Sequence, residues 1–176
     1  MPEGEASSDI LALAPFDCAT VPAADGFDYP VGAPDAIGYY NAQDFLVNTH
    51  LGEDWNGRGG GNTDFGDPVY AIANGQVREA KDVALGWGNV VRVAHRTEGG
   101  CIESLYAHLS DIAVDPGEIV VRGQLIGHIG DAGGRYIAHL HLELRDVVSS
   151  PLGAGYGEPK DQIDPHGFID AHRPKR

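Results

Sequence analysis

What most constrains the fold of this chain is its punctuation. Between residues 69 and 145, short β-branched or alternating apolar runs are separated at close intervals by Gly, Asp, Asn and Pro. The runs are Val69 to Ala73, Gln76 to Ala80, Gly88 to His95, Ile102 to Leu109, Glu118 to Arg122, Leu125 to Ile129 and His139 to Arg145. Segments of this kind read as strands, and their spacing suits an antiparallel arrangement. The predicted class is all-β with minor coil or helix, a compact antiparallel sheet or barrel-sandwich hybrid. Asn74-Gly75 is a hairpin signal and Asp115-Pro-Gly117 a type II turn signal, and both are expected to join adjacent strands.

The last run carries chemistry. Successive side chains on a strand point to opposite faces, so His139 and His141 project together while Leu140 and Leu142 face the other way. A second set lies in His50-Leu-Gly-Glu-Asp54, where a spacing of four fits either a helix face or one side of an extended segment. Gly52 and the turn signal Trp55-Asn-Gly57 disfavour a helix, so an extended segment ending in a loop is expected. Zinc accepts imidazole nitrogen and carboxylate oxygen, and a catalytic site offers three protein ligands with a fourth position for water. His50, Asp54, His139 and His141 are all candidates by type. The plainer reading makes the histidines polar positions of a half-buried strand and Asp54 a turn residue.

The wider pattern is more specific. In order, His50-x-Gly-x-Asp54, Gly66-Asp-Pro-Val-Tyr-Ala71, Asn74-Gly-Gln-Val77, Gly88-Asn-Val-Val91, Leu105-Tyr-Ala-His-Leu109, Gly123-Gln-Leu-Ile-Gly127 and His139-Leu-His-Leu-Glu143 resemble the lysostaphin/LytM-type zinc metallopeptidases. The resemblance implies a metalloendopeptidase that cleaves peptides of bacterial peptidoglycan, with one Zn2+ per chain in a groove of an antiparallel β-structure. It places His50, Asp54 and His141 on the metal, and His108 and His139 on the catalytic positions.

Histidine suits the catalytic task because its ordinary pKa of about 6.5 lies near operating pH. A Glu base in a His-Glu-x-x-His helix is absent from the sequence. By strand parity Glu143 shares the face of His139 and His141 and could orient a ligand, although a solvated or structural carboxylate is the plainer reading. Members of the resembled family carry a tyrosine upstream of the first ligand that helps the transition state. Tyr39 or Tyr40, with Tyr40 preferred, is the nearest candidate here, and core packing competes with that role. His95, His128, His166 and His172 match no functional position. Gly57-Arg-Gly-Gly-Gly61 and Gly130-Asp-Ala-Gly-Gly134 read as loops flanking the site, open to an extended peptide or simply long turns.

A chain of 176 residues, 42% of them hydrophobic, supports one domain with a proper core. The expected division is an N-terminal extension over 1–44 that wraps the core and is ordered from roughly Phe27, a metallopeptidase domain over 45–150, and a packed tail over 151–176. In that tail, Ile163-Asp-Pro165 resembles the family's closing element. A net charge of −14 argues against nucleic-acid partners. No apolar run reaches the ~18 residues of a membrane span, and the start lacks the regions of a signal peptide. The expectation from the resemblance is a monomer of the cell envelope, periplasmic or extracellular, with export information trimmed and Met1 an added start. Cys18 and Cys101 are either free thiols or one disulfide. A non-catalytic envelope module that regulates another wall hydrolase is the alternative function.

Overall fold

The computed structural model describes residues 16–175, and residues 1–15 of the predicted extension lie outside that range. Among the described residues eleven strands occur: β1 (Tyr39–Gln43), β2 (Glu53–Gly57), β3 (Pro68–Tyr70), β4 (Gly75–Asp82), β5 (Asn89–Thr97), β6 (Gly100–Leu109), β7 (Asp111–Ile112), β8 (Ile119–Val120), β9 (Leu125–His128), β10 (Leu140–Arg145) and β11 (Gln162–Ile163). A helix, α1 (Pro165–Ala171), follows. The large sheet runs β1-β2-β10-β6-β5-β4-β8, with β11 also on β10, and the small sheet runs β3-β9-β7. All pairings between these strands are antiparallel.

Alternation along β10 sets the layering. Leu140, Leu142 and Leu144 are fully buried with Val91 and Val93 of β5, and with Val69 and Ile126 of the small sheet. Each buried leucine contributes roughly 2 kcal/mol. A one-residue slip would turn all three out and drive His141 and Glu143 into the apolar layer, so the register is strongly specified. The face opposite this core is therefore where β10 presents its polar side chains.

Every predicted run overlaps a strand, but the connections differ from expectation. Asn74-Gly75 leads from β3 to β4, which lie in different sheets, and Asn74 instead braces the chain through Ala23 O and Arg122 N. Asp115-Pro-Gly117 does form its turn, with Gly117 at φ 88° and Glu118 N donating to Asp115 O, yet it also passes between sheets. Trp55-Asn-Gly57 is strand rather than turn. There β2 lies between β1 and β10, Trp55 is buried, and Gly57 N is held by Asp64, so ladder pairing overrides local turn preference.

Chain ends are tied into the same core. Phe27, Tyr29 and Val31 are buried in it, and Cys18 forms a disulfide with Cys101 at the start of β6. Specific structure thus begins ahead of Phe27. At the other end Asp164 caps α1 through Gly167 N, with Pro165 in the first turn, the usual chemistry of a helix start.

Candidate metal centre and catalytic cleft

Pairing between β2 and β10 places Asp54 directly opposite His141, so both side chains leave the same face. His50 reaches that face from the segment just before β2. The approach is close: a Cβ on Gly52 would lie 2.4 Å from Leu142 O and 2.8 Å from Glu143 Cγ. Only glycine lets the His50–Asp54 segment pass over β10 at that distance.

Three donor atoms converge there. His50 Nε2 lies 3.0 Å from His141 Nδ1, Asp54 Oδ1 lies 3.1 Å from His141 Nδ1, and His50 Nε2 lies 3.3 Å from Asp54 Oδ1. Ligands about 2.0–2.1 Å from a tetrahedral zinc stand roughly 3.3 Å apart, so the triangle is close to the size such an ion requires. The electrostatics agree. Burial works against an ionised Asp54, yet hydrogen bonds from His141 and His50 hold it well below the usual carboxylate range. Burial likewise opposes charge on His141, but hydrogen bonds to Asp54 and Glu143 outweigh it and push its pKa up to about 9. The site favours a positive charge between its carboxylates.

A further layer fixes His141. Its Nε2 faces Glu143 Oε1 at 3.0 Å, and the other Glu143 oxygen accepts from Arg145 at 2.6 Å and 2.8 Å. Both Glu143 and Arg145 are fully buried. With its Nε2–H committed to Glu143, the imidazole offers Nδ1 to the site. Glu143 is thus not a solvated carboxylate.

His108 and His139 stand beside the triangle. His139 Nδ1 donates to Ile137 O at 2.7 Å, leaving Nε2 to face Asp54 Oδ1 at 3.6 Å. His108 is delivered by a bulge: Asn89 pairs with Leu109 and Val91 with Tyr106, so Ala107 and His108 together oppose Val90. The backbone of His108 consequently takes a φ of 64°. Its Nδ1 points to Trp87 O at 3.3 Å, and its ring centroid lies 4.8 Å from that of His139. Burial, reinforced by His141 and His139, pushes the His108 pKa down to about 3.

These side chains open into a cleft of about 610 Å³ walled by Leu85, Gly86 and Trp87 on one side and by Gly153 to Tyr156 on another. Trp87 Nε1 donates to Gly153 O at 3.1 Å and ties the two walls together.

The model of peptidase family M23 matches residues 48–159, well over half of the chain. The chain belongs to peptidase family M23. It is 30% identical over 147 residues to lysostaphin of Staphylococcus simulans, covering 78% of this chain and 26% of that protein. It is 40% identical over 86 residues to the peptidoglycan DD-endopeptidase ShyA of Vibrio cholerae, covering 47% of this chain and 19% of that one. The solved structure of S. simulans lysostaphin superimposes with a TM-score of 0.55 at 26% identity, covering 75% of this chain and 48% of that one. The chain spans about a quarter of the length of lysostaphin. These likenesses make the M23 chain a peptidase-family member related to peptidoglycan hydrolases.

The M23 fold brings His50, Asp54, His108, His139 and His141 to one cleft. Tyr40 and Tyr39 do not line it: Tyr40 packs under Arg58, and the Tyr39 hydroxyl donates to Asp67. Tyrosines that do face the cleft are Tyr136, whose ring lies 4.9 Å from His108, and Tyr156, 5.1 Å from His50. Neither has a sequence signal beyond its loop position. The walls are also not the predicted glycine loops; of these, only the second contributes, to a neighbouring cavity. Glu53 is buried away from the cleft, accepting from Trp55 Nε1 and His166 N, and burial pushes its pKa up to about 7.

Proposed function

We propose that this M23 chain is a zinc-dependent metalloendopeptidase that hydrolyses peptide bonds in the stem peptides or cross-bridges of bacterial peptidoglycan, working in the cell envelope. The observation that carries the reading is the triangle of His50 Nε2, Asp54 Oδ1 and His141 Nδ1 with two further imidazoles beside it. These three atoms would hold one Zn2+. Bound there, zinc supplies a Lewis acid for the scissile carbonyl and lowers the pKa of water towards about 7.

The chain's own residues do the rest. His108 and His139 each commit Nδ1 to a backbone carbonyl, so each turns Nε2 towards the cleft. His108, buried and held neutral, accepts a hydrogen bond from the attacking water and orients it. His139, whose Nε2 faces Asp54 Oδ1 at 3.6 Å, takes the proton and passes it to the leaving amine. Trp87, Tyr136 and Tyr156 cover the substrate and exclude bulk water from these transfers.

The test combines metal analysis with digestion of purified cross-linked wall. Wild-type protein is expected to retain about one equivalent of zinc through mild dialysis and to release soluble peptides, as a three-ligand catalytic site requires. His141→Ala is expected to lose the metal, and His108→Ala to keep it and release nothing. Bound zinc with no release by wild type would favour the non-catalytic regulatory alternative.

A further inference from the structure

On the face opposite the core, β10 presents His141, Glu143 and Arg145 in succession. That face is not open to solvent, and all three side chains are buried. The chain that leaves β10 folds back over it and is met by Arg145. The guanidinium donates from Nη1 to Ser150 Oγ at 3.2 Å and Pro151 O at 2.8 Å, and from Nη2 to Leu152 O at 2.8 Å. It also donates from Nη2 and Nε to Glu143 Oε2 at 2.6 Å and 2.8 Å. These contacts employ all five N–H groups that an arginine has. Stability alone does not account for such a placement, because the desolvation of a buried ion pair offsets much of its Coulomb gain.

Each arm of this contact ends on an imidazole of the proposed metal site. The first arm is short: Glu143 meets the guanidinium with Oε2 and faces His141 Nε2 with Oε1 at 3.0 Å. The second runs through the cleft wall. Beyond Leu152 the chain continues as residues 153–156, which line the cleft, and closes on the His50 segment. Leu51 N donates to Gly155 O at 2.9 Å, His50 forms a β-bridge with Tyr156, and Gly157 N donates to Thr49 O at 2.9 Å. The wall also packs the ring. His50 Nδ1 is buried and makes no hydrogen bond among the described residues, and the Tyr156 ring centroid lies 5.1 Å from that of His50.

Resting on the zinc endopeptidase reading, we propose that Arg145 is a positioning residue for the metal site. One buried guanidinium holds His141 through Glu143 and His50 through the cleft wall, and so fixes the two imidazoles relative to each other. A lysine, with three donors and no planar fork, cannot make both arms. Arg92 supplies the comparison. It is also buried, and its hydrogen bonds go to Glu79, Glu103 and Ser150 O, so it holds the start of the same segment without a bond to Glu143.

Zinc affinity of the full chain, measured by competition with a chromophoric chelator, tests this. Arg145→Lys is expected to bind zinc about tenfold more weakly than wild type and Arg145→Met about 100-fold more weakly, the range lost when the group supporting a ligand is removed. Arg92→Lys, the same change in an equally buried ion pair, is expected to bind zinc as wild type does. In the metal-free proteins the amides of Leu51 and Gly157 are expected to exchange with solvent faster in Arg145→Lys than in wild type. Arg145→Lys, which keeps a charge beside Glu143, decides the question if Arg145→Met does not fold. Zinc affinity unmoved by Arg145→Lys, an equal loss in Arg92→Lys, or unchanged exchange at both amides would overturn the positioning role. Wall digestion is scored separately. Digestion by wild type with zinc affinity unmoved by Arg145→Lys removes only the positioning role, whereas the Arg145 losses without digestion by wild type remove only the endopeptidase reading. A wild type that binds no zinc removes both.

Discussion

His108 carries a conformational cost that a residue chosen for stability alone would not. At a φ of 64° an L-residue pays roughly 1–2 kcal/mol that glycine does not. His108→Gly should therefore be more stable than His108→Ala by about 1 kcal/mol in denaturant unfolding, since both remove the ring and differ only in backbone strain. Equal stabilities would contradict a strained bulge. His95 makes the opposite case of a histidine serving the core: its nitrogens meet Asn74 O at 2.9 Å and Ser104 Oγ at 2.7 Å, and burial pushes its pKa down to about 4. Because the folded value lies below the unfolded value of about 6.5, the stability it confers is present above that pH and is lost as pH falls towards 4. His95→Gln should flatten the acid limb of a stability profile between those values. An unchanged slope would show that another group controls it. Much of this scale was legible in sequence: parity put His139, His141 and Glu143 on one face. Parity does not report burial, so the packing of Glu143 against Arg145 was invisible, and so was the bulge that aims His108. Tyr40 was chosen for its position in the chain, while Tyr136 reaches the cleft through loop packing that no local signal records.

At the scale of elements, the site is a product of one register. Asp54 opposite His141 and Ala107 opposite His141 on the other side bring β2, β10 and β6 into a single ladder that carries Asp54, His141 and His108. The crossing at Gly52 leaves no room for a side chain, since a Cβ there would lie 2.4 Å from Leu142 O. Gly52→Ala should displace the His50 segment, so zinc binding is expected to weaken strongly while far-UV circular dichroism stays β-rich; retained stoichiometric zinc would show that the segment can shift without losing His50. The strands of the core could be read from their β-branched content and turn spacing. Their partners could not, because Asn74-Gly75 and Asp115-Pro-Gly117 encode local reversals and say nothing about which sheet receives the chain next. β1 and β11 gain their identity from pairing with β2 and β10, and so stayed unread.

Taken whole, the molecule separates its anchoring from its chemistry. The Cys18–Cys101 disulfide lies at the start of β6, whereas His108 lies near the end of the same strand. Of the described residues ahead of His50, only Gln43 lines the cleft. Cys18→Ser with Cys101→Ser should accordingly lower stability by about 2–4 kcal/mol, the usual effect of removing a long-range cross-link, and leave wall digestion at low temperature unchanged. A parallel loss of activity and stability would instead link the extension to the cleft. The proposed function divides five residues into three ligands and two proton-handling histidines. The most direct test is peptide release from purified wall by His139→Ala protein whose zinc content is measured in the same sample. One bound zinc and a loss of activity of about 100-fold or more are expected. Loss of the zinc, which would make His139 a ligand, or activity near wild type, would contradict it.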